Sequence, residues 1–137
     1  MKPFCQKILK PWGYELILTP PASPVTGKIA FTKKSQRWSF QYHDKKEETL
    51  CLIQGEATLW LENEKGKVEK IKMVPQEGYL IKPLQKHRFC AVKDCLSLEV
   101  STPEVGKTVR LEDDYGNRGD ETEEERRARP EGKVYLG

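Results

Sequence analysis

The sequence predicts an all-β fold, a sandwich or small barrel, and three observations carry that expectation. Short β-like runs recur through the middle of the chain, and turn residues bound them every few positions. Almost no stretch shows the apolar period of an amphipathic helix, and the runs leave little room for crossover helices.

Residues 14–18 form a short apolar run closed by the Pro20-Pro21-Ala22-Ser23-Pro24 loop. Residues 28–32 and 37–43 follow as strands around the polar turn Lys33-Lys34-Ser35. The run 50–53 stops at Gly55. In 56–62, Ala57, Leu59 and Leu61 alternate with Thr58 and Trp60, as in a strand with one buried face. The Asn63-Glu64-Lys65-Gly66 turn returns the chain as 68–74, the hairpin partner. After a turn over 75–78 come strands at 79–81, 87–92 and 96–101. The end changes character. Residues 120–129 place acids before arginines, which suits a helix dipole and permits a Glu123–Arg127 pair, so this end is one exposed helix or a disordered tail. The organisation expected is a folded domain over 1–116 and a charged tail or helix over 117–137.

Composition bounds the function. At 137 residues the chain is about one domain long, and 36% apolar residues with 3 Trp, 5 Tyr and 4 Phe suffice for a core. A net charge of +3 is too weak a footprint for a nucleic-acid partner. It is unevenly spread: residues 103–137 hold 7 basic and 10 acidic residues, leaving 17 basic against 11 acidic before them. That excess suits a small anionic ligand. No apolar run is long enough to span a bilayer, and the first residues lack a secretory apolar segment, so no membrane partner and a cytoplasmic location are expected. Cys5, Cys51, Cys90 and Cys95 lack CxxC spacing and are expected as reduced thiols. The chain has 2 histidines, His43 and His87, and any imidazole site must use them.

Gln41 and His43 stand two apart on a predicted strand and so share a face. Glu48 follows a polar turn, and Gly55 lies seven residues beyond it. Further on, Gly78 leads through Pro83 to His87. These segments resemble the paired motifs of the cupin superfamily, with Gln41 in place of the first motif histidine and Ser35 in place of its opening glycine. Gln-x-His is what metal-dependent phosphomannose isomerases use. Three more segments resemble the cupin domain of the type II phosphomannose isomerases: Lys10-Pro11-Trp12-Gly13-Tyr14-Glu15, Leu98-Glu99-Val100 with Ser101-Thr102, and the stretch from Val109 to Gly116.

The resemblance implies a double-stranded β-helix, or jelly-roll barrel, holding one divalent ion through Gln41, His43, Glu48 and His87. Two neutral imidazoles, a carboxylate and an amide oxygen suit zinc first, with manganese, nickel or iron as alternatives. Glu47 competes with Glu48 for its place, and Gln41 could equally be an ordinary strand glutamine. The implied activity is aldose–ketose isomerisation of a sugar phosphate such as mannose 6-phosphate, through metal-polarised proton transfer in a homodimer. The alternative is a metal-containing cupin that binds a sugar or sugar nucleotide without turnover; an iron oxygenase is disfavoured because it usually wants three histidines. Catalytic candidates are Glu99, Arg88 and Lys45. Glu99 is a base if it points into the barrel and an edge charge if it does not. Phosphate candidates are Lys28, Arg37 and Lys82, with Arg37 inward by its parity with Gln41 and His43. For each, solvated surface charge is the competing reading. Trp12, Trp38 and Trp60 could stack on a sugar ring or pack in the core.

Overall fold

The computed structural model describes residues 2–103, 105–116, 119–122 and 124–125, and the backbone of 133–135. Its strands are β1 (Gln6–Lys10), β2 (Gly13–Ile17), β3 (Thr26–Thr32), β4 (Phe40–His43), β5 (Glu48–Gln54), β6 (Ala57–Glu62), β7 (Val68–Lys72), β8 (Gly78–Ile81), β9 (His87–Ala91), β10 (Cys95–Ser101), β11 (Lys107–Glu112), β12 (Glu121–Thr122) and β13 (Lys133–Tyr135). They pair antiparallel in two sheets, ordered β13-β1-β2-β3-β10-β5-β8 and β12-β11-β4-β9-β6-β7. The fold is all-β, as predicted, and it is the jelly-roll arrangement that the resemblance implies.

Burial alternates along the central strands. In β3, Thr26, Lys28, Ala30 and Thr32 are buried while their neighbours are half-buried, and β5 and β10 repeat the pattern. One end of the barrel is apolar. Leu50, Leu52 and Ile81 of one sheet meet Leu59 and Phe89 of the other, and all five are fully buried. Each such side chain contributes about 1.5–3 kcal/mol. Trp38 stacks on Phe89 at 4.8 Å and on Trp12 at 5.3 Å, so two of the three tryptophans belong to the core. Along the same strands the inward positions become polar: Lys28 in β3, Glu48 in β5, Glu99 in β10. That polar end is where the site lies.

Turns set the register. Gly55 has φ +104, and a Cβ there would meet the Asp94 carbonyl, so the motif glycine is required by a close backbone approach. Asn63 closes the β6–β7 hairpin by accepting from Lys65 N and Lys67 N at 2.9 and 3.0 Å. β1 and β11 escape the sequence patterns because polar residues occupy both of their faces. The 37–43 strand is shorter than predicted, since Arg37 makes an isolated bridge to Cys90 and β4 starts at Phe40.

Of the tail, Glu121–Thr122 pairs with β11 and the 133–135 backbone pairs with β1. Glu124 and Glu125 are helical, and Thr122 and Glu125 form a reciprocal capping box, with N–H···O distances of 3.3 and 3.0 Å. The remainder of the predicted helix, including the Glu123–Arg127 pair, lies outside the described residues. The four cysteines are unpaired. Among the described residues no helix is long and apolar enough to cross a membrane.

Candidate metal centre and its buried ion pairs

Three strands bring His43, Glu48 and His87 together. His43 ends β4, Glu48 opens β5 and His87 opens β9. All three are buried, and their ligand atoms lie within 4.8 Å of one another. His87 Nε2 is 3.3 Å from Glu48 Oε1, and His43 Nε2 is 3.8 Å from Glu48 Oε2. Ligand atoms around an ion at bonds of about 2.1 Å stand roughly 3.0–3.4 Å apart in octahedral or tetrahedral geometry; the His87–Glu48 spacing falls in that range, and His43 would have to draw in slightly to complete it.

The other ring nitrogens set the orientation. His87 Nδ1 is 2.9 Å from the Gln85 carbonyl oxygen, which can accept but never donate, so Nδ1 carries the hydrogen. In the neutral ring this leaves the Nε2 lone pair facing Glu48. The Gln85 side chain fixes that turn, accepting from Lys82 N at 2.9 Å and donating to the Glu62 carbonyl at 2.7 Å. His43 Nδ1 lies 3.0 Å from Thr108 Oγ1, and Thr108 is the residue opposite His43 in the β4–β11 register. Such outer partners hold metal-ligating imidazoles in place.

Both Glu48 oxygens and His87 Nε2 are buried without a hydrogen bond of acceptable geometry. Acceptors facing acceptors in a buried site are costly unless a cation satisfies them. The residues present therefore fit a divalent ion. Burial pushes the His43 imidazole well below its ordinary value, and the nearby Lys46 ammonium pushes it further, so the ring is neutral and one of its nitrogens keeps a lone pair for a ligand bond. Burial raises the Glu48 carboxyl, but the Lys46 ammonium, the largest of the influences that lower it, holds the group well below the usual range.

A chain of ion pairs runs inward from this cluster. Lys46 Nζ lies 3.0 Å from Glu48 Oε2 and 3.1 Å from Glu99 Oε2. Lys28 Nζ is 3.4 Å from Glu99 Oε2 and from Glu15 Oε2, and Lys10 Nζ is 3.8 Å from Glu15 Oε1. Register explains part of this, since Glu99 and Lys28 are direct partners across β10 and β3. Lys10, Glu15, Lys28, Lys46 and Glu99, with Trp12, Trp38, Gln41, His43, Thr108 and Arg110, line a cavity with about 30 Å³ of free space. That is room for a few oxygen-sized groups.

The predicted residues divide by direction. Glu99 points into the barrel, and so does Lys28. Gln41 lines the cavity with His43, and its amide oxygen accepts from Ser39 Oγ at 2.5 Å. Lys45 is exposed on the surface; the buried lysine is its neighbour Lys46, which shares strand parity with inward Glu48. Parity was the available signal, and it also sends Glu47 outward. Arg88 is fully buried but lies on the other face of β9 from His87. There it donates to the Trp38 carbonyl at 2.7 Å and pairs with Glu112 and Asp114 at 3.4 and 3.5 Å, which makes it an anchor for the 112–116 segment. Arg37 also faces away from the cavity, paired with Asp114 at 2.6 Å, because the chain between it and Phe40 is not strand and parity fails. Lys82 is exposed on the turn before β9. Trp60 lies outside, with Arg37, Lys70 and Arg88 over its ring. Sequence reasoning missed Lys46, Glu15, Lys10 and Thr108.

No protein-family profile and no curated protein matches the sequence. Among solved structures, the chain is similar to KdgF from Halomonas sp., with TM-score 0.60 and 16% identity over 72% of this chain and 86% of that one. It is similar to the capsular polysaccharide assembling protein CapF from Staphylococcus aureus, with TM-score 0.68 and 13% identity over 82% of this chain and 33% of that one. Oxalate decarboxylase from Bacillus subtilis aligns with TM-score 0.66 and 17% identity over 81% and 33%. This chain thus spans about a third of the length of the last two. These likenesses show a cupin fold.

Proposed function

We propose that the chain is a metal-dependent aldose–ketose isomerase of a small anionic sugar, for which mannose 6-phosphate is the first substrate to test. The observation that carries the reading is the buried His43–Glu48–His87 cluster, in which Glu48 Oε1 and His87 Nε2 face each other at 3.3 Å without a hydrogen bond, with inward Glu99 linked to it through Lys46. The donor set of two imidazoles and a carboxylate favours zinc, and a study of the Mn(II) centres of Bacillus subtilis oxalate decarboxylase concerns a protein of the same fold (TM-score 0.62, 17% identity). A divalent ion held there would polarise a sugar carbonyl and the hydroxyl beside it.

The protein's own groups do the rest. Glu99 would take the proton from C2 and return it to C1, while the hydroxyl proton on O2 passes to O1, so aldose and ketose interconvert without net gain or loss. Lys28 and Lys46 position Glu99 from two sides, at 3.4 and 3.1 Å. Trp12 and Trp38 wall the cavity and exclude water. With Arg37 and Lys82 facing elsewhere, a phosphate would meet Lys10, Lys28, Lys46 and Arg110, the cations that line the cavity among the described residues. The test is exchange of label from D₂O into mannose 6-phosphate at C1 or C2 by metal-loaded protein, with Glu99→Gln as control. Exchange lost in Glu99→Gln while one metal per chain is retained supports the reading. Absence of exchange with a panel of hexose and pentose phosphates overturns it.

The second reading is a sugar-binding cupin without turnover. The observation favouring it is the small free space beside the cluster, in which the charged side chains described above already pair with one another.

A further inference from the structure

Lys46 has no chemical step in the isomerase reading beyond holding Glu99. It is 2% exposed, yet its ammonium sits between carboxylates from two strands, Glu48 Oε2 at 3.0 Å and Glu99 Oε2 at 3.1 Å. One of the two belongs to the metal cluster and the other does not. A divalent cation at the cluster claims the negative charge of Glu48 and repels an ammonium beside the same carboxylate. Lys46 is therefore the cation whose surroundings change most when the cluster fills. Lys28, by contrast, pairs with Glu15 and Glu99, neither of them in the cluster.

The charge of the cavity points the same way. Among the described residues, its walls carry Lys10, Lys28, Lys46 and Arg110 against Glu15 and Glu99, with Glu48 behind Lys46. A divalent ion would enlarge that positive excess in a buried site, where uncompensated charge is costly. Negative charge must then come from the ligand. The free space of about 30 Å³ admits a pair of adjacent oxygens rather than a whole sugar ring.

We infer that, once the cluster holds a divalent cation, Lys46 Nζ leaves Glu48 and binds an anionic oxygen of the ligand, so that the site selects molecules presenting two neighbouring oxygens of which one is negatively charged. This deepens the isomerase reading, and rests on it for the oxygen pair in question: such a pair is what an enediolate presents at C1 and C2. Lys46 is then a ligand-binding residue that discriminates charged from neutral oxygen pairs.

The probe is glycolate, a carboxylate with a hydroxyl on the adjacent carbon, titrated into Mn(II)-loaded protein and followed by water-proton relaxation, with acetate as the comparison lacking that hydroxyl. Wild type is expected to bind glycolate at least tenfold more tightly than acetate, and only with metal present. Lys46→Gln is expected to hold Mn(II) as tightly as wild type or more tightly, because a repelling charge is gone, and to bind glycolate at least tenfold more weakly. Lys46→Arg should recover most of the affinity. Should Lys46→Gln fail to fold because Glu99 loses a partner, the Lys46→Gln/Glu99→Gln double variant removes both charges and carries the same titration. Equal glycolate affinity in wild type and the Gln variant overturns the inference and leaves the isomerase reading standing. Loss of Mn(II) from the folded Gln variant also overturns it, since Lys46 then serves only to hold Glu48. Failure of metal-loaded wild type to bind glycolate, together with absent label exchange, overturns both.

Discussion

Glu48→Gln removes the charge at the centre of the cluster while keeping the size and shape of the side chain. In the wild type, a ligand present at a hundredfold excess over its dissociation constant stabilises the fold by about 2.7 kcal/mol through mass action. For 137 residues, an unfolding entropy of roughly 2.1 cal/mol/K per residue sums to about 0.29 kcal/mol/K. The saturating metal should therefore raise Tm by about 9 °C, and a chelator should reverse it. The carboxylate lies 3.3 Å from one histidine nitrogen and 3.8 Å from the other, so replacing it by a neutral amide weakens the cation at the point where both imidazoles meet it. In Glu48→Gln the shift should shrink to less than about 2 °C under the same conditions. Differential scanning calorimetry with zinc, manganese, nickel and ferrous iron in turn reads the effect. A shift of undiminished size in the variant would place the ion elsewhere, and no shift of the wild type with any of the four would refute the metal centre.

Two further predictions probe what lies around the cluster. Arg88→Ala leaves the buried Trp38 carbonyl without its 2.7 Å donor and removes the Arg88 pairs to Glu112 and Asp114, the latter keeping Arg37, so it should cost about 2–3 kcal/mol in urea unfolding with metal content unchanged; loss of metal would mean that Arg88 supports the site directly. In metal-free protein, stability should fall as pH drops through about 6.5, because the unfolded His43 takes up a proton that burial denies the folded ring. The slope due to one proton is about 1.4 kcal/mol per pH unit, and it should flatten in His43→Gln. Glu48, whose folded value is depressed, adds its own loss only as pH falls below about 4.5. Identical urea midpoints for the wild type and His43→Gln from pH 6.5 to 5 would contradict this assignment.

Much of the fold was legible because strand signals are local. Ala57, Leu59 and Leu61 alternate, and they face inward; Asn63 and Gly66 mark a turn, and the chain reverses there. β1 and β11 were illegible for the opposite reason. Gln6 and Thr108 are polar yet buried, so the inward faces of these strands carry no apolar stripe. Within the site, His43, Glu48 and His87 could be read through the resemblance to the cupin motifs, whose order and spacing these residues follow. Lys45 and Lys46 could not be separated by type. The choice between them depends on which residue continues the inward parity of Glu48.

By itself the sequence determined the alternation of short strands and turns and the scarcity of imidazole, and its resemblance to the cupin motifs pointed to the residues proposed to hold a cation. Tertiary structure decided the directions. Arg88 and His87 are neighbours in the chain, yet one anchors an outer loop and the other faces the cluster, because successive strand residues project from opposite faces. Lys10, Glu15, Lys28, Glu99 and Lys46 come from separate segments, and only the register of β1, β2, β3 and β10 joins them into a chain of buried charges. Pairing of this kind depends on distances of a few ångströms between residues far apart in sequence, and those distances exist only after the barrel closes.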